Sequence, residues 1–331
     1  MKKVTLQNIA DLLNISKVSV SKAINNQPGI SNDLREKILN SAHELGYFNH
    51  KPSPVVIPEN FAFIVHKNFF LEIDDFYSRI HYYLNNKCQA NSITLTLFTI
   101  QYKDDDKVKL PEKLTKDNFD GIFIAGELRE NYLFALKNLG IPMVAIDFTN
   151  PHIELDCILV DNFNLGYFLA THLIDRGHKK IGFVGKRFPE NVLDRFYGYK
   201  KALERADLPY RDEWNLANND PQTGYYTLDI QFPEQMPTAF ICHCDMSAYF
   251  LIQSLKSKNI RVPDDVSVVS FDNTHLAETC LPRLTSVDID KKKFAHHAFE
   301  SLGNRIIQPD SPYQRIYLQT SIVQRDSVIS R

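Results

Sequence analysis

Lys17, Val18, Ser19, Ser21, Lys22 and Asn25 bring two ammonium groups, short hydroxyls, an aliphatic side chain and an amide into one short stretch. Ammonium and hydroxyl groups hold phosphate oxygens, while amides and methyl groups read base edges, so the set suits duplex nucleic acid met through a major groove. A second polar set stands far downstream and singly: Asp147, Arg195, Asp245, and Asp272 with Asn273. Carboxylates, an amide and a guanidinium make the bidentate hydrogen bonds that suit a polyhydroxylated ligand. Nothing in the chain reads as catalytic: no phosphate-cradling glycine loop, no serine elbow and no metal-binding histidine spacing occurs. No enzyme activity, cofactor or metal is therefore expected.

The first set needs a scaffold, and the residues around it supply one. Thr5 can cap a helix whose apolar residues Leu6, Ile9, Ala10 and Leu13 recur at i, i+3, i+4 and i+7, one buried stripe. Asn14 closes that helix in the left-handed conformation asparagine tolerates, and Ser16 can cap a second helix, Lys17 to Asn25. Only Val20, Ala23 and Ile24 are left to pack inward, so the polar face points out. A third helix starts at Ser31, carries the stripe Leu34, Ile38, Ala42 and Leu45, and ends at Gly46. Two short helices joined by a tight turn make a DNA-reading helix-turn-helix. Lys17, Val18 and Lys22 are expected to choose bases, and Thr5, Ser16, Ser19, Ser21, Asn25 and Ser31 to hold phosphates. Leu6, at the start of the first helix, is counted with the DNA contacts as well as with the stripe. The plain alternative is a three-helix packing module.

Charge agrees with the nucleic-acid reading. Through Lys51 seven lysines and arginines face four carboxylates, a net of plus three, in a chain whose total is minus two. A basic head on an acidic remainder is what results when only the head meets a polyanion. At 331 residues the chain exceeds one compact core, so the remainder should form two lobes. No stretch is apolar and long enough to span a bilayer, and the chain opens on a capped helix instead of a signal peptide, so a cytoplasmic protein with no membrane partner is expected. Five scattered cysteines, Cys88, Cys157, Cys242, Cys244 and Cys280, read as reduced thiols. Strand alternation sends Cys242 and Cys244 to one face and His243 to the other, which argues against a shared metal.

The expected domains are residues 1–48, a proline-containing linker at 49–60, and a body at 61–331. Pro52, Pro54 and Pro58 lack backbone donors and restrict their predecessors, which favours extended chain. In the body, strand-length apolar runs alternate with helical stretches. Phe61 to Val65, Ile93 to Phe98, Gly121 to Ala125 and Met143 to Ile146 form a first set of strands; Ile158 to Val160, Ile181 to Val184, Thr238 to Ile241 and Val266 to Phe271 form a second. That rhythm predicts parallel sheets covered on both faces, in two similar α/β lobes, one of 61–157 with 290–318 and one of 158–289 with 319–331. Ligands of such sheets sit beyond the carboxyl ends of strands, where Asp147, Asp245 and Asp272 stand. Each could equally cap the next helix, and Arg195 could be a surface ion pair. Phe69, Phe70, Phe76, Tyr77 and Trp214 read first as core.

VTLQNIADLLNISKVSVSKAIN resembles the N-terminal signature of the lac and galactose repressor family of transcription regulators. HLIDRGHKKIGFVG, DRFYGYKKAL, PTAFICHCDMSA, IRVPDDVSVVSFDN and LPRLTSVDID resemble its later blocks in order and spacing. The resemblance covers essentially the whole chain. It implies an all-α head on a two-lobed body like the periplasmic sugar-binding proteins, with three crossings between lobes. It implies a homodimer on a roughly palindromic double-stranded operator, and a repressor of sugar-use genes controlled by a small carbohydrate effector. The positions matching Asp147, Arg195, Cys244 and Asp272 would line the effector pocket, joined by the loop from His66 through Phe69 and Phe70. The effector would favour one lobe closure and so respace the heads, a coupling of about 1–3 kcal/mol.

The chain departs from the family pattern in two places. Where members carry a Tyr-x-Pro-Asn-x-x-Ala-Arg-x-Leu hinge segment, Tyr47 is followed by Phe48, Asn49, His50, Lys51, Pro52, Ser53 and Pro54, so plain linker is expected. Where an asparagine is common in the pocket stands Cys244, a weak donor and acceptor. The absence of a heptad tail after Arg331 predicts a dimer and not a tetramer. A secreted solute receptor would have no use for the basic head, and a sugar-modifying enzyme would need a nucleophile or an acid/base pair in the cleft.

Overall fold

In the computed structural model the described residues are 4–24, 29–45, 47, 58–70, 75–185, 189–219 and 226–331. Two compact units divide between Ile57 and Pro58. Asn25, Gly46 and the linker through residue 57, with any hinge helix there, lie outside the described residues.

The first unit is three helices, Leu6–Leu13, Lys17–Ile24 and Asn32–Glu44. Its turns are set locally. The Thr5 hydroxyl accepts from the Asn8 backbone amide at 3.4 Å while Asn8 Oδ1 accepts from the Thr5 amide at 2.8 Å, a reciprocal capping box. Asn14 adopts φ 52°, ψ 47°, which ends the helix. Ser16 Oγ accepts from the Ser19 amide at 3.0 Å and starts the next. Ile9, Ala10, Val20, Ala23, Ile38, Ala42 and Tyr47 make the core, and the Arg35 guanidinium donates to the Ala23 carbonyl at 3.0 Å, satisfying an end of the second helix.

The second unit holds two six-stranded sheets. In chain order the strands are β1 Asn60–His66, β2 Thr94–Ile100, β3 Gly121–Ala125, β4 Met143–Ile146, β5 Asp156–Leu159, β6 Ile181–Val184, β7 Asn215–Leu216, β8 Ala239–Cys242, β9 Ser267–Asp272, β10 Thr285–Asp288, β11 Arg315–Tyr317 and β12 Ser321–Val323. The first sheet runs β11-β5-β4-β3-β1-β2 and the second β12-β10-β9-β8-β6-β7. All pairings are parallel except that of β10 with β12. The chain passes between sheets after β5, after β10, and between β11 and β12.

One expected boundary is corrected. The rhythm of the chain puts the run Ile158 to Val160 in the second lobe, yet β5 pairs with β4 and β11 in the first sheet, so the crossing follows Val160 instead of residue 157. Ile158 packs into the core on one face of that sheet while Cys157 and Leu159 pack into the core on the other. Asp156, at the strand's start, is bound by the buried Arg305 guanidinium at 2.8 and 3.1 Å. A short apolar run buried on both faces looks the same in sequence whichever sheet it joins.

Two glycines set the geometry of the second lobe. A Cβ on Gly166 would lie 1.9 Å from the Arg195 carbonyl oxygen, and one on Gly198 would lie 1.9 Å from the Phe163 carbonyl oxygen. Helices Asn162–Ile174 and Glu190–Arg205 therefore touch backbone to backbone. That approach brings the Arg195 side chain to Asn162.

Candidate functional site

Asp147 directly follows β4 and Asp272 ends β9, and both take left-handed backbone, φ 68° and φ 96°. Non-glycine residues adopt that region at a cost, and such strain gathers at functional sites. Arg195 is 3% exposed and Asp147 4%. Arg195 spends three of its five N–H groups within the protein. Nε donates to Asn162 Oδ1 at 2.8 Å, one terminal nitrogen to the His243 carbonyl at 2.6 Å, and the other to Asp272 Oδ1 at 3.4 Å. Its plane lies 4.5 Å from the centre of the Phe271 ring. Lys291 Nζ donates to the carbonyls of Asp272 and Asn273, tying the loop after β9 to the start of helix Lys291–Ile307.

Asp147 Oδ2 accepts from the Tyr77 hydroxyl at 3.0 Å and from Asn191 Nδ2 at 2.9 Å. Its Oδ1, and Asn191 Oδ1, are buried without a hydrogen-bond partner. Burial pushes the Asp147 carboxyl up to about 6, Arg195 opposes the shift and Asp272 adds to it. Burial likewise raises Asp272, against the pull of Arg195 and Lys291. Three charged groups from distant parts of the sequence are thus buried within electrostatic reach of one another. Asp147 and Asn191 also line a cavity of about 170 Å³.

Other expected residues do not join this group. His66 is buried against Tyr102, ring centres 4.5 Å apart, with Nε2 3.2 Å from Asp105 Oδ2. Phe70 packs against Phe63 and His81 in the core; the Phe69 side chain lies outside the described part. Cys244 caps helix Asp245–Ser257, its sulfur accepting from the Ser247 amide at 3.4 Å and standing 3.0 Å from the Tyr226 hydroxyl. Asp245 is fully buried among the Ser270 and Ser286 hydroxyls and the Thr274 amide and hydroxyl. It braces the loop that carries Asp272.

Tyr77, Asn162 and Asn191 are site residues that the sequence reading does not find. Asn191 precedes Arg195 by one helical turn and so shares its face, a signal present in the sequence. Tyr77 reads as core, and its ring is core; only its hydroxyl reaches the site.

On the head, Lys17 and Val18 are exposed, Val18 at 63%, and Ser19, Ser21 and Lys22 are half-buried beside them. The hydroxyls of Thr5, Ser16 and Ser31 cap helices in the exposed rim. Leu6 is half-buried and packs against the three-helix core, as its place in the apolar stripe dictates.

Residues 5–49 match the family described as bacterial regulatory proteins, lacI family, and residues 170–328 match a periplasmic binding protein-like domain. An HTH-type transcriptional repressor PurR of Mannheimia succiniciproducens is 28% identical over 98% of both chains, and one of Haemophilus influenzae is 29% identical over 98% of this chain and 99% of its own. The head thus resembles the lacI family of bacterial regulators, and the body resembles a periplasmic binding protein-like domain. These PurR relatives, which align with 98% of this chain, are transcriptional repressors, in keeping with a DNA-binding regulator of transcription. Among solved structures of this fold, a transcriptional regulator CelR-cellobiose complex aligns at TM-score 0.70 and 22% identity over 98% of this chain and 99% of its own. The lac repressor dimer bound to operator and the anti-inducer ONPF aligns at 0.66 and 18% over 99% and 100%. A LacI family regulator from Enterococcus faecium with bound ribose aligns at 0.67 and 22% over 82% and 100%. No helix among the described residues is long and apolar enough to cross a membrane.

Proposed function

We propose that this protein represses carbohydrate-use genes as a cytoplasmic homodimer of the lac repressor family, and that a monosaccharide-sized polyol bound at Asp147, Arg195 and Asp272 controls it. The observation that carries the reading is the buried array itself. Asp147 and Asn191 each hold an oxygen that lacks a donor, and Arg195 keeps two N–H groups beyond its three protein partners. Buried polar atoms without partners cost about 1–3 kcal/mol each, and a ligand rich in hydroxyls, each both donor and acceptor, relieves that cost. Two structural relatives are described with sugars bound, cellobiose and ribose. On the head, Lys17, Val18 and Lys22 face the bases of each half-site, and Ser19 and Ser21 the phosphates beside them.

The control works only if the polyol binds two lobe arrangements unequally. Selection of duplexes from a random library by the full chain should return a near-palindrome, whose affinity falls steeply with salt. A thermal-shift panel of mono- and disaccharides beside nucleobases then tests the cleft. Stabilisation by a sugar that also changes operator affinity is expected; stabilisation by nucleobases alone would overturn the polyol reading, and a salt-independent affinity would overturn the DNA reading.

A further inference from the structure

The cavity of about 170 Å³ beside Asp147 is walled by five carboxylates, those of Glu127, Asp147, Asp161, Glu190 and Asp194, and by no lysine or arginine among the described residues. Local structure uses three of them in part. Asp161 caps helix Asn162–Ile174 through the Asn164 amide at 3.0 Å, Glu190 stands in the first turn of its own helix, and Glu127 accepts from the Glu190 amide at 3.0 Å. Those bonds leave the charges facing one another. Glu190 and Asp194 are like charges one turn apart, a mutually destabilising spacing. Glu127 is raised by burial and by Glu190, and Asp194 by burial, Glu190 and Asp161. Deepest lies Asp147, whose Oδ1 has no partner, and Arg195 near it is committed to Asp272, Asn162 and the His243 carbonyl. Among the described residues no group of three or more such ligands is placed to hold a metal ion.

We infer that the effector is cationic: an amine-bearing polyol of one sugar ring, an amino sugar, seated with its ammonium on Asp147 under the Glu127, Glu190 and Asp194 carboxylates. This rests on the polyol reading above and specifies its charge. An ammonium group brings three donors and a positive charge to a site rich in acceptors. A neutral sugar supplies the hydroxyl contacts but brings no positive charge to Glu127, Glu190 and Asp194, which no lysine or arginine of the described cavity wall meets. The cavity is below the roughly 300–1,000 Å³ of pockets for drug-sized ligands and suits one ring.

The test uses the full-length protein at pH 7 with matched pairs: glucosamine and glucose, galactosamine and galactose, mannosamine and mannose, with the N-acetyl derivatives as uncharged controls. Melting shifts identify the pair that binds, and calorimetry then measures it. The amino sugar should bind at least tenfold more tightly than its parent, and the N-acetyl form should lose that gain. Asp147→Asn should erase the preference, and Asp194→Asn, at the exposed mouth where folding is not at stake, should reduce it two- to threefold. Equal or weaker binding of the amino sugar overturns the inference and leaves the polyol reading standing. A panel in which no pair shifts the melting temperature overturns both.

Discussion

The head and the cleft reach polar function by opposite routes. In the head the caps and the turn that set the second helix come from within a few residues, Thr5 with Asn8, Ser16 with Ser19, and Asn14 turning the chain between them, and Arg35 reaches the Ala23 carbonyl from only twelve residues away. In the cleft, Asp147, Arg195 and Asp272 come from separate strands and helices and are held by partners equally distant, Tyr77, Asn162 and Lys291. The side chains expected to meet DNA are exposed or half-buried on the head and cost little to hold. Those of the cleft are buried charges whose pairing must be right, because an unpaired charge in the interior is strongly destabilising. Substitutions should therefore act mildly and separately in the head, and severely and jointly in the cleft.

Arg195→Ala tests this contrast hardest. It leaves Asp272 and Asp147 buried without their guanidinium and should cost about 3–5 kcal/mol. It should also remove the effector's influence on operator binding. A variant that melts like the parent and still responds to effector would place the pocket elsewhere.

Gly198→Ala comes next. The new methyl would meet the Phe163 carbonyl at 1.9 Å and the Tyr167 amide at 2.8 Å, so two helices must part. A loss of about 3 kcal/mol is expected, lowering the melting point by roughly 2–4 °C per kcal/mol, together with weakened effector binding as Arg195 draws away from Asn162. Unchanged melting would show that the close approach of these helices is not what sets the site.

Acidity offers a third test. Asp147 and Asp245 are both raised from 3.8 to about 6, burial being the leading cause. The folded state then keeps these protons at pH values where the unfolded chain has released them, so stability falls as pH rises from about 4 to about 6 and is level above that. Each group contributes up to about 3 kcal/mol at roughly 1.4 kcal/mol per unit. His81, His172 and His178, all lowered chiefly by burial, act in the opposite sense over that window, so the test is differential: the melting advantage of the effector-free parent over Asp147→Asn should be larger at pH 5 than at pH 7. The exposed pairs Arg261–Asp265 and Arg283–Asp326, whose carboxylates are lowered, act in the opposite sense and below that window.

The smallest effects belong to the head. Lys17→Ala and Lys22→Ala should each weaken operator binding and reduce the salt slope by about 1 if the lysine meets a phosphate, with no change in melting. A lysine that instead chooses bases will relax specificity at one position. A loss of stability in either variant would mean that the head, too, is held by its polar face.

The sequence by itself determined what short-range physics encodes. The capping residues, the apolar stripes and the left-handed asparagine delivered the three helices, and the alternation of apolar runs with helical stretches delivered two α/β lobes. The departure after Tyr47 and the cysteine at 244 were likewise legible. Tertiary structure alone decided which sheet β5 joins, because a run buried on both faces carries no directional pattern. It alone sent His66 to Asp105 and set the Tyr77 hydroxyl and Asn191 on Asp147. Such contacts depend on two glycines letting helices touch and on strands far apart in sequence ending at one edge. Spacing along the chain holds no record of them.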